Sequence, residues 1–107
     1  MDQYKWNMRT LMRFGKLRGK DTIEESVKEM FTIFNLFSEM GSTKRQLTFE
    51  EIDTMTHALM ASNPKLTEEE ATDICLEQPG HVAYVLNLYA ESLPRADKDA
   101  KPGKPQD

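Results

Sequence analysis

The spacing of apolar residues changes at Asn7. Before it, Tyr4, Trp6 and Met8 alternate with Lys5 and Asn7, a strand-like period of two. After it, Met8, Leu11, Phe14 and Leu17 recur at helical spacing, while Arg9, Arg13, Lys16 and Lys20 share another side of the same helix. This predicts a first helix from about Met8 to Leu17, ended by Gly19. A second helix follows Asp21-Thr22, capped by Asp21 with Glu24 or by Thr22 with Glu25. It carries Ile23, Val27, Met30, Phe31, Ile33, Phe34, Leu36, Phe37 and Met40, and stops at Gly41-Ser42. Residues 42–46 read as a polar loop. Thr48 with Glu51 opens a third helix, which buries Phe49, Ile52, Met55, Leu59 and Met60 and closes at Asn63-Pro64. Thr67 with Glu70 opens a fourth, with Ala71, Ile74 and Cys75 inward, and Gln78-Pro79-Gly80 breaks it. The fifth runs from about His81 to Ser92, with Val82, Val85, Leu86, Tyr89 and Leu93 on one face.

The expected fold is therefore all-α. It has about five short helices, a short N-terminal strand or extended arm, and a disordered C-terminal tail. Residues 1–93 form one helical domain. Residues 94–107 contain three prolines, a glycine, alternating Lys and Asp, and nothing apolar larger than alanine. Such a segment cannot bury enough surface to offset its ordering entropy.

The second helix is broader in its apolar face than one-sided packing requires. Ile23, Val27, Met30, Phe31, Phe34 and Phe37 form a stripe that Ile33, Leu36 and Met40 widen. Two readings follow. Either this is the central helix, surrounded by the other four, or part of the Phe/Met face (Met30, Phe31, Phe34, Phe37) is a docking or self-association surface. The chain has seven methionines, and methionine-rich faces adapt to varied partners.

Charge alters the picture through its distribution. The net charge is −4, yet residues 1–20 hold six basic side chains against Asp2. Residues 46–75 hold seven acids against Lys65. This dipolar layout argues against wrapping of nucleic acid by the whole protein, and suits head-to-tail self-association or a partner touching one end. On the first helix, Arg9, Arg13, Lys16 and Lys20, with Phe14 beside them and Arg18 and Lys5 nearby, form a candidate partner-binding face. Its readings are a solvated surface, docking to an acidic protein surface (a neighbouring copy included), or contacts to phosphates with Trp6 available to stack.

Reactive chemistry has no footing in the pattern. Single Cys75 excludes an internal disulfide and reads as a buried structural thiol. His57 and His81 lie on different predicted helices without a ligand-pair spacing. The acidic clusters sit at helix starts, where they favour the helix dipole, and lack a calcium-loop pattern. No phosphate-cradling glycine loop or nucleophile setting is present. The expectation is a protein that is not an enzyme and has no cofactor or metal. It is expected to be soluble and intracellular, with neither signal peptide nor membrane span.

The order of these pieces resembles a known family. The phrase NMRTLMRFGKLRGKD is similar to the opening "Arg-x-Leu-x-Arg-Phe-Glu-x-x-Thr-Gly-Lys" of tail assembly chaperones from long-tailed bacteriophages and prophages. Arg9, Leu11, Arg13, Phe14, Gly19 and Lys20 occupy the matching positions. Pro64, Leu66, Thr67, Glu69 and Glu70 match the family's "Pro-x-Leu-Thr-x-Glu-Glu", and Ser92-Leu93-Pro94 resembles its last helix end. The likeness covers most of residues 4–97 in order. Gly15 and Arg18 depart from it, standing where Glu and Thr are commoner.

The resemblance implies a non-enzymatic chaperone that binds the apolar, helix-rich tape measure protein and helps recruit tail tube protein. It would act in the host cytoplasm and be absent from the finished virion. Phe31, Phe34, Phe37 and neighbouring methionines would cover an apolar stripe on that client. The alternatives are a small nucleic-acid-binding phage or prophage regulator using the basic first helix, and a structural tail or connector component retained in the particle.

Overall fold

The computed structural model describes residues 2–42 and 47–93, with the backbone alone for 40–42. The polar segment 43–46 and the tail from residue 94, expected to be disordered, lie outside the described residues.

Side-chain-to-backbone hydrogen bonds start four of the five helices. Helix α1 (Met8–Leu17) is opened by Asn7, whose Oδ1 accepts from the Thr10 amide while Thr10 Oγ1 accepts from the Asn7 amide. It ends in a Schellman motif: the Lys20 amide donates to the Gly15 carbonyl at 2.8 Å and the Gly19 amide to Lys16 at 3.0 Å. Gly19 has φ of +73°, a left-handed value that only glycine adopts cheaply. Helix α2 (Ile23–Ser42) begins at Thr22, whose Oγ1 accepts from the Glu25 amide. The Glu25 carboxylate reaches back to the Asp21 amide. The Asp21 amide, by bonding to the ionised form, is the largest cause holding the Glu25 pKa below its ordinary value. Helices α3 (Phe49–Ser62) and α4 (Glu68–Glu77) open on reciprocal capping boxes, Thr48 with Glu51 and Thr67 with Glu70. Helix α5 (Gly80–Ser92) follows the break at Gln78-Pro79 without a side-chain cap.

The arrangement is all-α, as the sequence predicts, but its centre is α3. That helix packs against each of the other four. Small side chains make this possible: Thr54, Thr56, Ala58, Ala61 and Ser62 are buried, so neighbours approach α3 from several directions. Helix α2 is not the surrounded one. Its core face is Ser26, Met30, Ile33 and Leu36, with Val27, Phe34 and Phe37 half-buried at the margin.

Several expected core positions at helix ends move outward, Leu93 just after α5 among them. Phe49, the first residue of α3, is 87% exposed, lying beyond the length of helix its neighbours cover. Met8 and Leu17, at the two ends of α1, are also exposed, leaving Thr10, Leu11, Phe14 and Gly15 as the buried face. Among the described residues there is no strand. The alternating N-terminal segment is an extended arm tied by one backbone bond, from the Lys5 amide to the Ser62 carbonyl at 3.0 Å. Its alternation still has a purpose. Tyr4 is buried with its hydroxyl 2.8 Å from His81 Nδ1, and Trp6 packs edge-on against Tyr89 at 5.6 Å.

Gly15 marks the closest approach of α1 and α2. A Cβ there would come within 2.0 Å of Ser26 Oγ and 3.2 Å of Ser26 Cβ. The short turn between Gly19 and Thr22 thus folds α2 back along α1.

Candidate functional site

Two surfaces remain after the core is assigned. The first is an edge of α2. Ile23, Val27, Phe31 and Phe34 fall within one narrow sector of that helix, next to the buried Met30 row. Phe31 is 56% exposed and Ile23 48%, so the core covers only part of this sector. Phe34 is half-buried, with its ring 5.9 Å from Tyr89, and Phe37 also packs partly against the core. Of the expected apolar docking residues, Phe31 is the most exposed, and Phe34 and Phe37 are half-buried. Met30 is completely buried, which corrects its expected place on a partner-facing surface. Phe14 is corrected for the same reason, since its ring is fully enclosed and lies tilted against Trp6 at 6.2 Å.

The second surface is basic. Arg9, Arg13 and Lys16 are exposed along α1, with Met12 among them. Arg13 is held in place by its own fold, because Nη1 donates to the Ala61 carbonyl at 2.6 Å, the acceptor end of α3. Beside it lies an open cleft of about 540 Å³ between the arm, α1 and the α3–α4 connection. Lys5, Arg9, Arg13 and Lys65 line it against the single acid Asp2. Lys65 comes from a distant part of the sequence. Asn63 builds the turn that delivers it, its Oδ1 accepting from the Lys65 amide and its carbonyl from the Leu66 amide. Helical periodicity gave no signal for Lys65 or Lys5, because tertiary packing is what brings them together. Ile23 was legible as the i−8 neighbour of Phe31, a spacing that places both on the same side.

Arg18, read only as one more nearby cation, is instead a structural hub. Its side chain is 8% exposed. Nε pairs with Glu29 at 2.9 Å, Nη2 with Glu50, and Nη1 donates to His57 Nδ1 at 3.0 Å. One guanidinium therefore ties the end of α1 to both α2 and α3. Burial, and then the Arg18 charge, push the His57 pKa down, partly opposed by Asp53, Glu68 and Glu50.

Cys75 is buried beside Thr56, 3.7 Å from its hydroxyl, and burial pushes its pKa up to about 11. That leaves it a protonated, poorly nucleophilic thiol at neutral pH. Among the described residues no three His, Cys, Asp or Glu side chains are grouped to hold a metal ion. No helix among them is long and apolar enough to cross a membrane. The arrangement offers two contact surfaces, one apolar and one cationic, on a closed helical core. Compared with known protein families, curated proteins and solved structures, the chain matches none of them.

Proposed function

We propose that this protein is a non-enzymatic chaperone of bacteriophage tail assembly. It would hold apolar helical segments of a tape measure protein against the uncovered edge of α2, and assist the assembly of tail tube protein around that client. The observation that carries the reading is a half-exposed Phe31, with Ile23 and Phe34, on a helix that already gives Met30, Ile33 and Leu36 to the core. A large aromatic left in water at the middle of a 20-residue helix suits an apolar stripe on a client helix. The resemblance at Arg9, Leu11, Arg13, Phe14, Gly19 and Lys20 supplies the particular client. Within this fold, Leu11, Phe14 and Gly19 serve to fix α1 in place, so the matching phrase bears on architecture first.

The role requires action in the host cytoplasm and absence from the finished virion. The test is co-expression with the tape measure protein encoded nearby, followed by size exclusion with light scattering. The expected result is a soluble, co-eluting complex. Phe31→Glu abolishes co-elution while far-ultraviolet circular dichroism stays unchanged, and Phe31→Ala weakens it by about 1–2 kcal/mol, roughly tenfold in Kd. A tape measure protein that stays insoluble, or a complex indifferent to Phe31→Glu, overturns the reading.

A further inference from the structure

The cleft beside α1 is rich in hydrogen-bond donors and poor in free acceptors. Lys5 from the arm, Arg9 and Arg13 from α1, and Lys65 from the α3–α4 turn converge on its volume of about 540 Å³. None of these cations enters an ion pair among the described residues, and Asp2 is the single acid in the lining. The backbone acceptors around the hollow are already used. Ala61 accepts from Arg13 Nη1 at 2.6 Å, Ser62 from the Lys5 amide at 3.0 Å, and Asn63 from the Leu66 amide at 3.0 Å. Two donors are left over by the same bonds. Arg13 keeps its Nε–Nη2 edge without a protein partner among the described residues. Asn63 lines the cleft and is only 8% exposed; its Oδ1 accepts from the Lys65 amide at 3.2 Å, while its Nδ2 donates to no described residue.

We propose that this cleft binds a chain of two or three linked phosphates, either free or carried by a nucleotide. Such a chain brings several negative charges, which suits four cations set against one acid better than a lone carboxylate does. The guanidinium edge of Arg13 matches two oxygens of one phosphate, and the ammonium groups of Lys5 and Lys65 act as point charges on its neighbours. The volume lies within the roughly 300–1,000 Å³ of small-ligand sites. None of the lining side chains is aromatic, so recognition falls on the phosphates and not on a stacked base. A nucleic-acid strand engages cations along an extended track, whereas these converge on one hollow. The bound chain would tie the arm, held by one backbone bond, to α1 and the α3–α4 turn, so it stabilises the fold. No residue of α2 lines the cleft, and the inference stands whether or not the client reading does.

The experiment is isothermal titration calorimetry of the full chain with sodium triphosphate in metal-free buffer at low ionic strength, paired with thermal melts. Triphosphate should bind at one site per chain and raise the melting temperature. Lys5→Ala with Lys65→Ala removes two ammonium groups and keeps both backbone amides, and should weaken binding at least about tenfold. Asn63→Asp keeps the acceptor for the Lys65 amide but puts a carboxylate in place of the unpaired donor, and should weaken binding as much. Lys28→Ala removes an equal charge from α2 and should change the affinity by less than about twofold. Equal affinities for triphosphate and adenosine triphosphate identify the phosphate chain alone as the ligand, and a tighter nucleotide identifies the nucleotide as its source. Triphosphate that gives neither heat nor a melting shift, citrate that binds as tightly, or binding that survives the loss of Lys5 and Lys65 each overturns the proposal. So does a single-stranded oligonucleotide that binds more tightly than triphosphate and depends on Lys16 and Lys20, which would make α1 a nucleic-acid face.

Discussion

Arg18 ties three helices together through one side chain. Its guanidinium is nearly enclosed and serves Glu29, Glu50 and His57 at once. Breaking a fully buried pair costs about 3–5 kcal/mol, but Glu50 is largely exposed, which lowers the expectation for Arg18→Ala to about 2–3 kcal/mol. Urea denaturation measures it, and Arg18→Lys should recover only part, because a single ammonium cannot reach three partners. Burial of His57, and then the Arg18 charge beside it, set a pH dependence. Folding lowers the His57 pKa, so the unfolded chain takes up a proton that the folded one resists. This contribution to stability is complete above about pH 6.5 and is lost as pH falls through the folded-state pKa. The proton titration of the His57 ring should have its midpoint below that of a free imidazole, and a midpoint at or above it would contradict the burial of His57 beside Arg18. Tyr89 gives the opposite case. Its ring fills the core against Trp6 and Phe34, yet its buried hydroxyl finds no hydrogen-bond partner among the described residues. Tyr89→Phe keeps the packing and removes the desolvated oxygen, so stability should rise by about 1 kcal/mol, read as a higher urea midpoint at constant slope.

The helices themselves were readable because local chemistry sets their ends. Thr48 with Glu51 and Thr67 with Glu70 are contacts across one turn, so the sequence carries the whole interaction. Thr48→Ala and Thr67→Ala should each destabilise by about 1 kcal/mol. They cap different helices and share no partner, so the double variant should lose the sum within about 0.5 kcal/mol. A much larger combined loss would mean that the two caps act as one unit. Which helix lies at the centre was not legible in the same way. Helix α2 advertises itself with large apolar residues, whereas α3 is central through small ones, and Thr56, Ala58 and Ser62 do not signal burial. Which side of α2 faces the core was left open by the sequence as well. The crossing at Gly15 and Ser26 rotates Met30 inward and leaves Phe31 outside, and periodicity alone cannot supply that rotation. The period-two arm failed as a strand for want of a partner strand, although its alternation correctly marked Tyr4 and Trp6 as the side facing the core.

At the scale of the molecule, Gly15 and Arg18, the two departures from the resembling phrase, turn out to be two of the points where α1 is fastened to its neighbours. Gly15 permits the close approach to α2, and Arg18 clamps α1 to α2 and α3. A closed core bound at such points makes a specific claim about how a client is held. If the apolar edge of α2 is the docking face, binding uses the native fold and protects it. If a client instead requires Met30 and Ile33, the helices must part before it binds. Cys75 separates these cases, because its thiol is buried and its pKa is pushed up to about 11. A thiol reagent at mildly alkaline pH should therefore label it only through opening of the domain. A ligand that binds the folded chain alone slows that labelling by the factor 1 + [L]/Kd. With a soluble apolar helical segment of the tape measure protein as ligand, labelling of the wild type should slow in proportion to ligand concentration. Labelling of a Phe31→Glu chain should not change. Acceleration by the same segment would mean that the client opens the domain, and would move the binding surface from the exposed edge of α2 to its buried face.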